Sequence, residues 1–572
     1  MGPQLTETNR SFALQSMLSA LELFAKEVDV VQKVVSGESP MQYSVVDWHR
    51  TFIKVLFGIL IVGEANQKGM LSSTSRVQTT LVLKDLNRVY TWKEVQDWIA
   101  FVQTGDECTV GLQLGLFKGA DWEAITRPSF DTIPMREVLF HLRSVLETFE
   151  ARASSVGLLY EQILQVVPEW DEMSQCYKVS VRPDSLRKST GAFYTPQTLV
   201  DVVLNSTIEP LLERCLSLQE PLESIRELAI CDPSCGLGYI LIAAAKRLTR
   251  GVLRLNPSVD ESDTYTFILK HCMYGVDINP LTIDMCKALL WMEAGDSSIS
   301  VGTWDDKIRC GHALLGCTPA MVKEGITEAS FVRVLHHDDR TIRRKIASKS
   351  RSERRRLVVK SDEEANVDSR KLADTLMASM VWPKIDEGDW YEHAPTFQVF
   401  ERLRQGVVDP ILQQLVERLK VKHRFFHWHL EFPTIVARGG FDAVIGNPPF
   451  LDSEFLKRTV PYERTAIGNL YESTTGNWDL YIPFIELSLR ILKPSGFHAF
   501  VTPNKIIGSD YAISLQQHCL LTNKIREVHD FSRLFLFGKV RITVVVVAIQ
   551  KVSSVASDIV QFYQYEQGLS LL

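Results

Sequence analysis

At 572 residues, 45% hydrophobic and 23% charged, the chain is long enough for several domains and has the composition of an ordinary folded protein. Its net charge of −6 excludes a surface that is basic throughout, so any hold on nucleic acid is local or supplied by another domain or subunit. No apolar run reaches membrane-spanning length, Leu56 to Val62 being short and bounded by polar residues, and no secretory leader is present; a cytoplasmic protein without a membrane partner is expected. The ten cysteines include no Cys-x-x-Cys pair, and Cys231 and Cys235 are close only because they share a loop, so reduced thiols are expected rather than disulfides or a metal site. Met1-Gly2 followed by Thr6 loosely fits a myristoylation pattern, but an ordinary start or a cloning remnant explains it better.

Residues 1 to about 185 read as mostly helical, with apolar residues at helical spacing over Ser11 to Val31, Ser44 to Ile61 and Pro134 to Val167. Val77 to Leu83 is a candidate strand, and Gly105 to Gly119 reads as a loop. A metal-dependent nuclease needs an Asp and a Glu-x-Lys to hold Mg²⁺ and a water. No Glu-x-Lys occurs before residue 185, and Glu94-Val95-Gln96 is a poor substitute. The region is expected to be a platform without chemistry of its own.

Ser189 to Pro196 sets two aromatics between a glycine and a proline, ahead of a helix expected over Gln197 to Leu212. Such a loop can close over a ligand through backbone donors, although a capping turn is the plainer account of the segment alone. Leu228 to Tyr239 then reads strand, tight loop, helix, the helix continuing to Leu248. Gly236 and Gly238 allow close approach of backbone to a ligand, as in nucleotide-binding βαβ units. No Lys-Ser/Thr follows, so this is not a phosphate loop of the NTPase type. A second strand, Met273 to Val276, ends in Asp277-Ile278-Asn279-Pro280. An acidic residue there can take both hydroxyls of a ribose as donors. The gap from the glycine loop exceeds the roughly 20 residues usual in dinucleotide folds. The polar run Asn256 to Asp263 reads as the insertion responsible, and a helix is expected over Leu281 to Glu293.

Arg309 to Gly316 is a third short segment containing His312, and a lone loop histidine is more often structural than functional. Residues 317 to about 435 interrupt the pattern. Arg333 to Lys360 is rich in Arg and Lys, including Arg343-Arg344-Lys345 and Arg354-Arg355-Arg356. A solvated helical hairpin is the plain reading, a phosphate-contacting arm the functional one. Glu401 to Val421 reads as one further helix.

Phe441 to Ile445 is a short buried strand, apolar apart from Asp442, that runs into Gly446-Asn447-Pro448-Pro449-Phe450. Two prolines fix φ, remove two donors and hold Asn447 extended. An Asn amide oxygen beside a prolyl carbonyl is a pair of acceptors, suited to an amino group that must shed hydrogens, and Phe450 offers a flat face for a base. Gly468 to Gly476 then reads as a mobile loop, and Asp479-Leu480-Tyr481 opens a helix to Leu492 that Lys493-Pro494-Ser495-Gly496 stops. Strands are expected over Phe497 to Val501, Ile525 to Phe531 and Val540 to Ile549, the last central and mostly β-branched. Phe535 and Phe537 lie on the loop Leu534 to Lys539.

In this order the motifs resemble the gamma arrangement of N6-adenine DNA methyltransferases of the Asn-Pro-Pro-Phe class, over about residues 186 to 553. The large charged insert is similar to those of methylases in BREX and DISARM phage-defence and type IIG restriction-modification systems. The resemblance implies an α/β fold: a Rossmann-like, seven-stranded, mostly parallel sheet with helices on both faces. Its halves would be cofactor-binding (186–316) and catalytic (436–553), with a helical N-terminal domain (1–185) and a helical insertion (317–435). It implies S-adenosyl-L-methionine as cofactor, contacted by Phe193, Tyr194, Thr195 and Pro196, by Asp232, Pro233, Ser234, Gly236 and Gly238 at its amino-acid part, by Asp277 and Ile278 at its nucleoside, and by Asn447. It implies Asn447, Pro448, Pro449 and Phe450 as the catalytic motif, acting without a metal on an adenine flipped from double-stranded DNA. Phe450 would stack on one face of that base and Phe537 on the other, although packing beneath its loop accounts for Phe537 equally well. Relatives usually carry Asn or Asp where this chain has His312.

Residues 554–572 read as the start of a missing or truncated target-recognition region, so a protein partner or a further domain is expected to supply sequence choice. Two other readings stand beside this one. The same tetrapeptide occurs in enzymes that methylate protein glutamine or ribosomal guanine, against which the Gly191 to Pro196 segment and the large inserts speak. A cofactor-binding sensing or scaffold subunit with little activity alone is the reading from another class.

Overall fold

The computed structural model describes residues 195–566 except 297, 328–329, 331–339, 357–367, 384, 386–387, 535, 537–541 and 556. Before them it describes 15–20, 23, 57–63, 65–66, 70, 91–104, 135–148, 166–171, 173 and 176–181. They divide into two compact units: residues 1–194, 236–271 and 280–308, and residues 195–235, 272–279 and 309–572.

In the first unit, helices run over Trp92–Thr104 and Arg136–Thr148. The former starts at a capping box. Thr91 Oγ1 accepts the Glu94 N–H at 3.3 Å while the Glu94 carboxylate accepts the Thr91 N–H at 2.9 Å. Glu94 is therefore engaged in helix initiation. Of the helix expected over Pro134 to Val167, Arg136–Thr148 is helical and residues 149–165 lie outside the described residues, whereas Val166 and Val167 open strand β1 (Val166–Asp171), which pairs antiparallel with β2 (Cys176–Val181). Val166, Val167, Val179 and Val181 are β-branched, which favours the hairpin over a continued helix. The candidate strand Val77 to Leu83 and the loop Gly105 to Gly119 lie outside the described residues.

The same unit holds the helices Tyr239–Leu255, Glu261–His271 and Pro280–Ala294. Glu293 ties them together, accepting from Tyr265 Oη at 3.0 Å and pairing with Lys246 at 2.7 Å. The indole of Trp304 donates to the Leu269 carbonyl at 3.1 Å. The polar run after Asn256 opens the second of these helices, where Asp260 Oδ1 accepts the Asp263 N–H at 2.8 Å.

The second unit is built on a sheet of β3 (Ile230–Asp232), β4 (Met273–Asp277), β5 (Ile308–Cys310), β6 (Phe441–Gly446), β7 (Leu492–Pro503), β8 (Asn523–Asp530), β9 (Val544–Ser553) and β10 (Gln561–Gln564). The order is β10-β8-β9-β7-β6-β3-β4-β5. The pairs β3–β4, β3–β6, β6–β7 and β10–β8 are parallel, and β9 runs antiparallel to both neighbours. The sheet carries one strand more than the expected seven. The eighth, β10, falls within residues 554–572, so part of that stretch completes the sheet edge.

All of β6 is buried, and β9 is buried from Val544 to Ile549, the continuous apolar pattern of strands covered on both faces. Asp442 is the polar member of β6 and is clamped. Its carboxylate accepts the Ala229 N–H at 3.0 Å and pairs with Lys493 at 3.1 Å and Arg214 at 3.5 Å. Arg214 ends the helix Gln197–Leu216, whose Val203, Leu204, Ile208 and Leu211 are buried.

Three local expectations change. The helix expected over Glu401 to Val421 is two, Phe397–Arg404 and Pro410–His423. Gly406 at φ +86° ends one, and Asp409 caps the next by accepting the N–H groups of Ile411 and Leu412 at 3.0 and 3.2 Å. The loop expected to be mobile after Gly468 is pinned: Glu486 accepts the N–H groups of Glu472 and Ser473 at 3.2 and 2.8 Å. Lys493 to Gly496 does not separate helix from strand. Helix Tyr481–Ile491 passes directly into β7, with Ser495 at φ +61°.

From β3 the chain proceeds outward through β4 and β5, whereas β6 and β7 lie on the other side of β3. The reversal between β3 and β6 opens a crevice at their carboxyl ends, where ligands of open α/β sheets bind.

Candidate functional site

Asp232 ends β3 and Gly446 ends β6, side by side, with Cys231 in register with Val444. A Cβ on Gly446 would stand 2.7 Å from Asp232 Oδ1 and 3.3 Å from the Phe500 ring. Glycine is required here because the neighbouring carboxylate occupies the space of a side chain.

Asp232 is 2% exposed. Its Oδ1 accepts from Ser234 N at 2.9 Å and Ser234 Oγ at 3.4 Å, and it forms no ion pair among the described residues. Burial pushes its pKa up to about 7, the hydrogen bonds from Ser234 pull it down, and the nearby Asp277 carboxylate pushes it up again. Two acids thus lie close together with Asp232 lacking a counter-cation, a donor set that fits a cationic group such as an ammonium.

The loop after Asp232 is shaped by Pro233, which is buried, and by Gly236 and Gly238 at φ +52° and +82°. The two glycines differ in purpose. A Cβ on Gly238 would meet Cys286 Sγ at 2.7 Å, a packing constraint. A Cβ on Gly236 would meet nothing within 4 Å, so there the backbone angle demands glycine and the space beyond is open. The Cys235 N–H donates to the Val276 carbonyl at 2.9 Å, anchoring the loop to β4.

At the end of β4, Asp277 Oδ1 accepts the Asn279 N–H at 2.8 Å, and the Asp277 carbonyl accepts the Gly311 N–H at 2.9 Å. Ile278 is 50% exposed, an apolar side chain presented to solvent beside the acid. Gly311 and Gly316 are forced by Phe426, whose ring lies 2.4 Å and whose carbonyl 1.9 Å from where their Cβ atoms would stand. His312 between them is half-buried by surface, its N–H donating to the Arg424 carbonyl at 2.7 Å, and the desolvation of its ring lowers its pKa to about 4. It is a neutral packing residue.

Asn447 follows β6. Its Nδ2 donates to Thr195 Oγ1 at 3.1 Å, while Oδ1 is buried without a hydrogen-bond partner. A buried carbonyl oxygen left without a donor is costly, by about 1–3 kcal/mol. Thr195 is itself buried, and Pro196 caps the helix Gln197–Leu216, its carbonyl accepting from Leu199 and Val200 at 2.9 and 3.2 Å. Pro448 is buried, and Pro449 and Phe450 are half-buried. The loop beyond is fastened by the Leu480 N–H, which donates to the Leu451 carbonyl at 2.9 Å. Asp479 beside it accepts from Tyr511 at 2.8 Å, a brace that the sequence offered only as the start of a helix.

Thr195, Asp232, Asp277 and Asn447 thus come from four separated stretches to neighbouring ends of β3, β4 and β6. No local pattern announces the hydrogen bond between Thr195 and Asn447, since 251 residues intervene between them. Phe193, Tyr194 and Phe537 lie outside the described residues.

One other array resembles a nucleophile triad. Cys317 Sγ lies 3.3 Å from His427 Nδ1, and His427 Nε2 lies 3.1 Å from Asp374. All three are buried, and Nδ1 also accepts the Cys317 N–H at 3.2 Å. Burial pushes the thiol up to about 12, so this array is structural.

Two family models match the chain. The Eco57I restriction-modification methylase family covers residues 271–537, and the N-6 DNA methylase family covers 171–308. Together the two matches span residues 171–537, and both models describe DNA-modifying methylases. Among curated proteins, it is 22% identical over 437 residues to a putative type II restriction enzyme and methyltransferase of Methanocaldococcus jannaschii, covering 63% of this chain and 34% of that one. It is 33% identical over 98 residues to the type II restriction enzyme and methyltransferase RM.Eco57I of Escherichia coli, covering 17% of this chain and 9% of that one. It therefore spans about a third of the first relative and less of the second. The adenine-specific methyltransferase PglX of Streptomyces coelicolor is 25% identical over 149 residues, 26% of this chain and 12% of that one. A solved structure of the type IIL restriction-modification enzyme MmeI with DNA superposes with a TM-score of 0.48 at 14% identity, covering 96% of this chain and 59% of that one. Among the described residues, no helix is long and apolar enough to cross a membrane.

Proposed function

We propose that the chain transfers a methyl group from S-adenosyl-L-methionine to N6 of an adenine flipped out of double-stranded DNA, as the modifying part of a restriction-modification or phage-defence system. The observation that carries this reading is the buried, unpartnered Oδ1 of Asn447, held at the switch point of the sheet beside an uncompensated acid. When bound, the cofactor supplies an electrophilic methyl on a sulfonium. Asp232 would hold its ammonium group, the Gly236 loop its amino-acid part, Asp277 its ribose and Ile278 its adenine.

The chain's own residues do the rest. Asn447 Oδ1 and the Pro448 carbonyl accept the two N6 hydrogens. That draws the nitrogen lone pair out of conjugation with the ring and points it in one direction. The two prolines keep these acceptors from relaxing, so little reorganisation is needed during transfer. Phe450 offers its ring to the face of the base. Thr195 holds the Asn447 carboxamide in place, its hydroxyl oxygen taking an Nδ2 hydrogen.

Thr195→Val should lower kcat for methyl transfer about tenfold, with cofactor affinity changed less, because a carboxamide free to turn presents its donor end part of the time. Thr195→Ser should restore the rate. A valine variant with wild-type kcat removes the positioning role.

The function is tested by incubating the full chain with labelled cofactor and mixed-sequence duplex DNA, then digesting the product to nucleosides. Label in N6-methyladenosine of the deoxy series is expected. Label only in RNA or protein would replace this substrate.

A further inference from the structure

The helix Arg340–Arg356 carries nine Lys and Arg against a single acid, Glu353, within a chain whose net charge is −6. At 100° per residue, Thr341, Arg344, Lys345, Ser348, Lys349 and Ser352 fall within about 140° of one face. All six are exposed and line one continuous surface. The opposite face is fixed. Ile342, Ile346 and Ala347 are buried in the same core as Phe441 and Val444 of β6, and Ser350 Oγ accepts the Phe397 N–H at 3.0 Å. Glu353 accepts the Gln398 N–H at 3.1 Å, so the only acid of the helix is engaged by a neighbouring element.

A helix face that merely meets water usually mixes signs, with acids three or four residues from bases. Here Lys345 stands 6.0 Å from the Tyr391 ring, and neither Arg344 nor Lys349 forms an ion pair among the described residues. The result is a face about 17 Å long that presents three cations, Arg344, Lys345 and Lys349, with hydroxyl residues between them. Phosphate diesters along a duplex present a matching row of charge and accept from both donor types.

We infer that this face binds the phosphate backbone of duplex DNA independently of sequence, holding the polymer while the Asn447 site engages a base. The inference rests on the proposed DNA substrate. It reconciles an acidic chain with a DNA-binding role by concentrating basic charge on one anchored helix.

The test compares the full-length wild type with Arg344→Gln/Lys345→Gln/Lys349→Gln, measuring binding of a mixed-sequence duplex by fluorescence anisotropy over a range of KCl concentrations. Each lost phosphate contact reduces the log–log salt slope by about 0.9, so a loss of two to three in slope is expected, with affinity ten- to a hundredfold weaker near physiological salt. Thermal midpoint and cofactor affinity should stay at wild-type values, since the three side chains are exposed and lie outside the proposed cofactor site. An unchanged slope overturns the inference while leaving the methylation reading intact. Equal loss for double-stranded RNA, or for vesicles of anionic lipid, shows a general anion surface and also overturns it. A wild type that binds cofactor but no duplex at low salt overturns both.

Discussion

Asn447→Ala should bind S-adenosyl-L-methionine within about threefold of the wild type and lose methyl transfer by about 10³-fold, the scale seen when one preorganised polar group is removed from a reacting centre. The geometry separates the two effects. The carboxamide oxygen has no hydrogen-bond partner among the described residues, while Asp232, the proposed partner of the cofactor's charged end, sits on the neighbouring strand. The substitution also removes the Thr195 hydrogen bond, worth about 1 kcal/mol, which barely lowers the thermal midpoint. Asn447→Asp keeps an acceptor but adds charge beside two acids, and should fall between alanine and wild type. Single-turnover rates with separate calorimetric titration of the cofactor check the split. Near-normal turnover in the alanine variant would falsify the assignment of this motif.

Asp232→Asn should abolish useful cofactor affinity yet make the ligand-free protein more stable above pH 7. The folded protein holds the Asp232 proton up to about pH 7, whereas an unfolded chain releases it near 3.9. Between those values the native state binds the extra proton, so this group's contribution to stability falls as pH rises and is constant above about 7. Replacing the acid with its neutral isostere removes that penalty. The gain should be on the order of 4 kcal/mol at pH 8 and near zero at pH 4. The Ser234 N–H keeps an oxygen acceptor in the variant, so the loop geometry is retained. For the wild type, an ionised Asp232 is the form that pairs with an ammonium. Cofactor affinity should therefore rise with pH below about 7 and level off above it, with one proton released on binding at pH 6. Denaturant midpoints at both pH values and calorimetry in buffers of different ionisation enthalpy measure these effects. A flat affinity profile from pH 6 to 8 would remove Asp232 from the cofactor site.

Much of this arrangement is legible in the chain because local chemistry dictates it. Strand, glycine turn and helix around Asp232 follow from buried runs and positive φ, and β6 follows from an apolar stretch ended by two prolines. The break between the helices Phe397–Arg404 and Pro410–His423 was also written locally, as Gly406 and Asp409-Pro410, but overall helical spacing masked it. Other features depend on contacts between distant residues, which periodicity does not encode. The hydroxyl of Thr195 finds Asn447 only through the sheet, and Gly446 owes its identity to a carboxylate on another strand. β10 is short and exposed, so it has no alternating pattern to announce it, and its pairing with β8 comes from register alone.

The contact of Gly311 and Gly316 with Phe426 has a wider meaning. The Phe426 N–H donates to the Leu315 carbonyl at 2.8 Å, so the excursion that begins after residue 317 comes back to its point of departure. Its two ends are stitched together at the root, so the path from there to β6 is covered by residues 427–440 alone. Whatever such an excursion gains or loses in length, the strand bearing the reactive carboxamide starts from the same place.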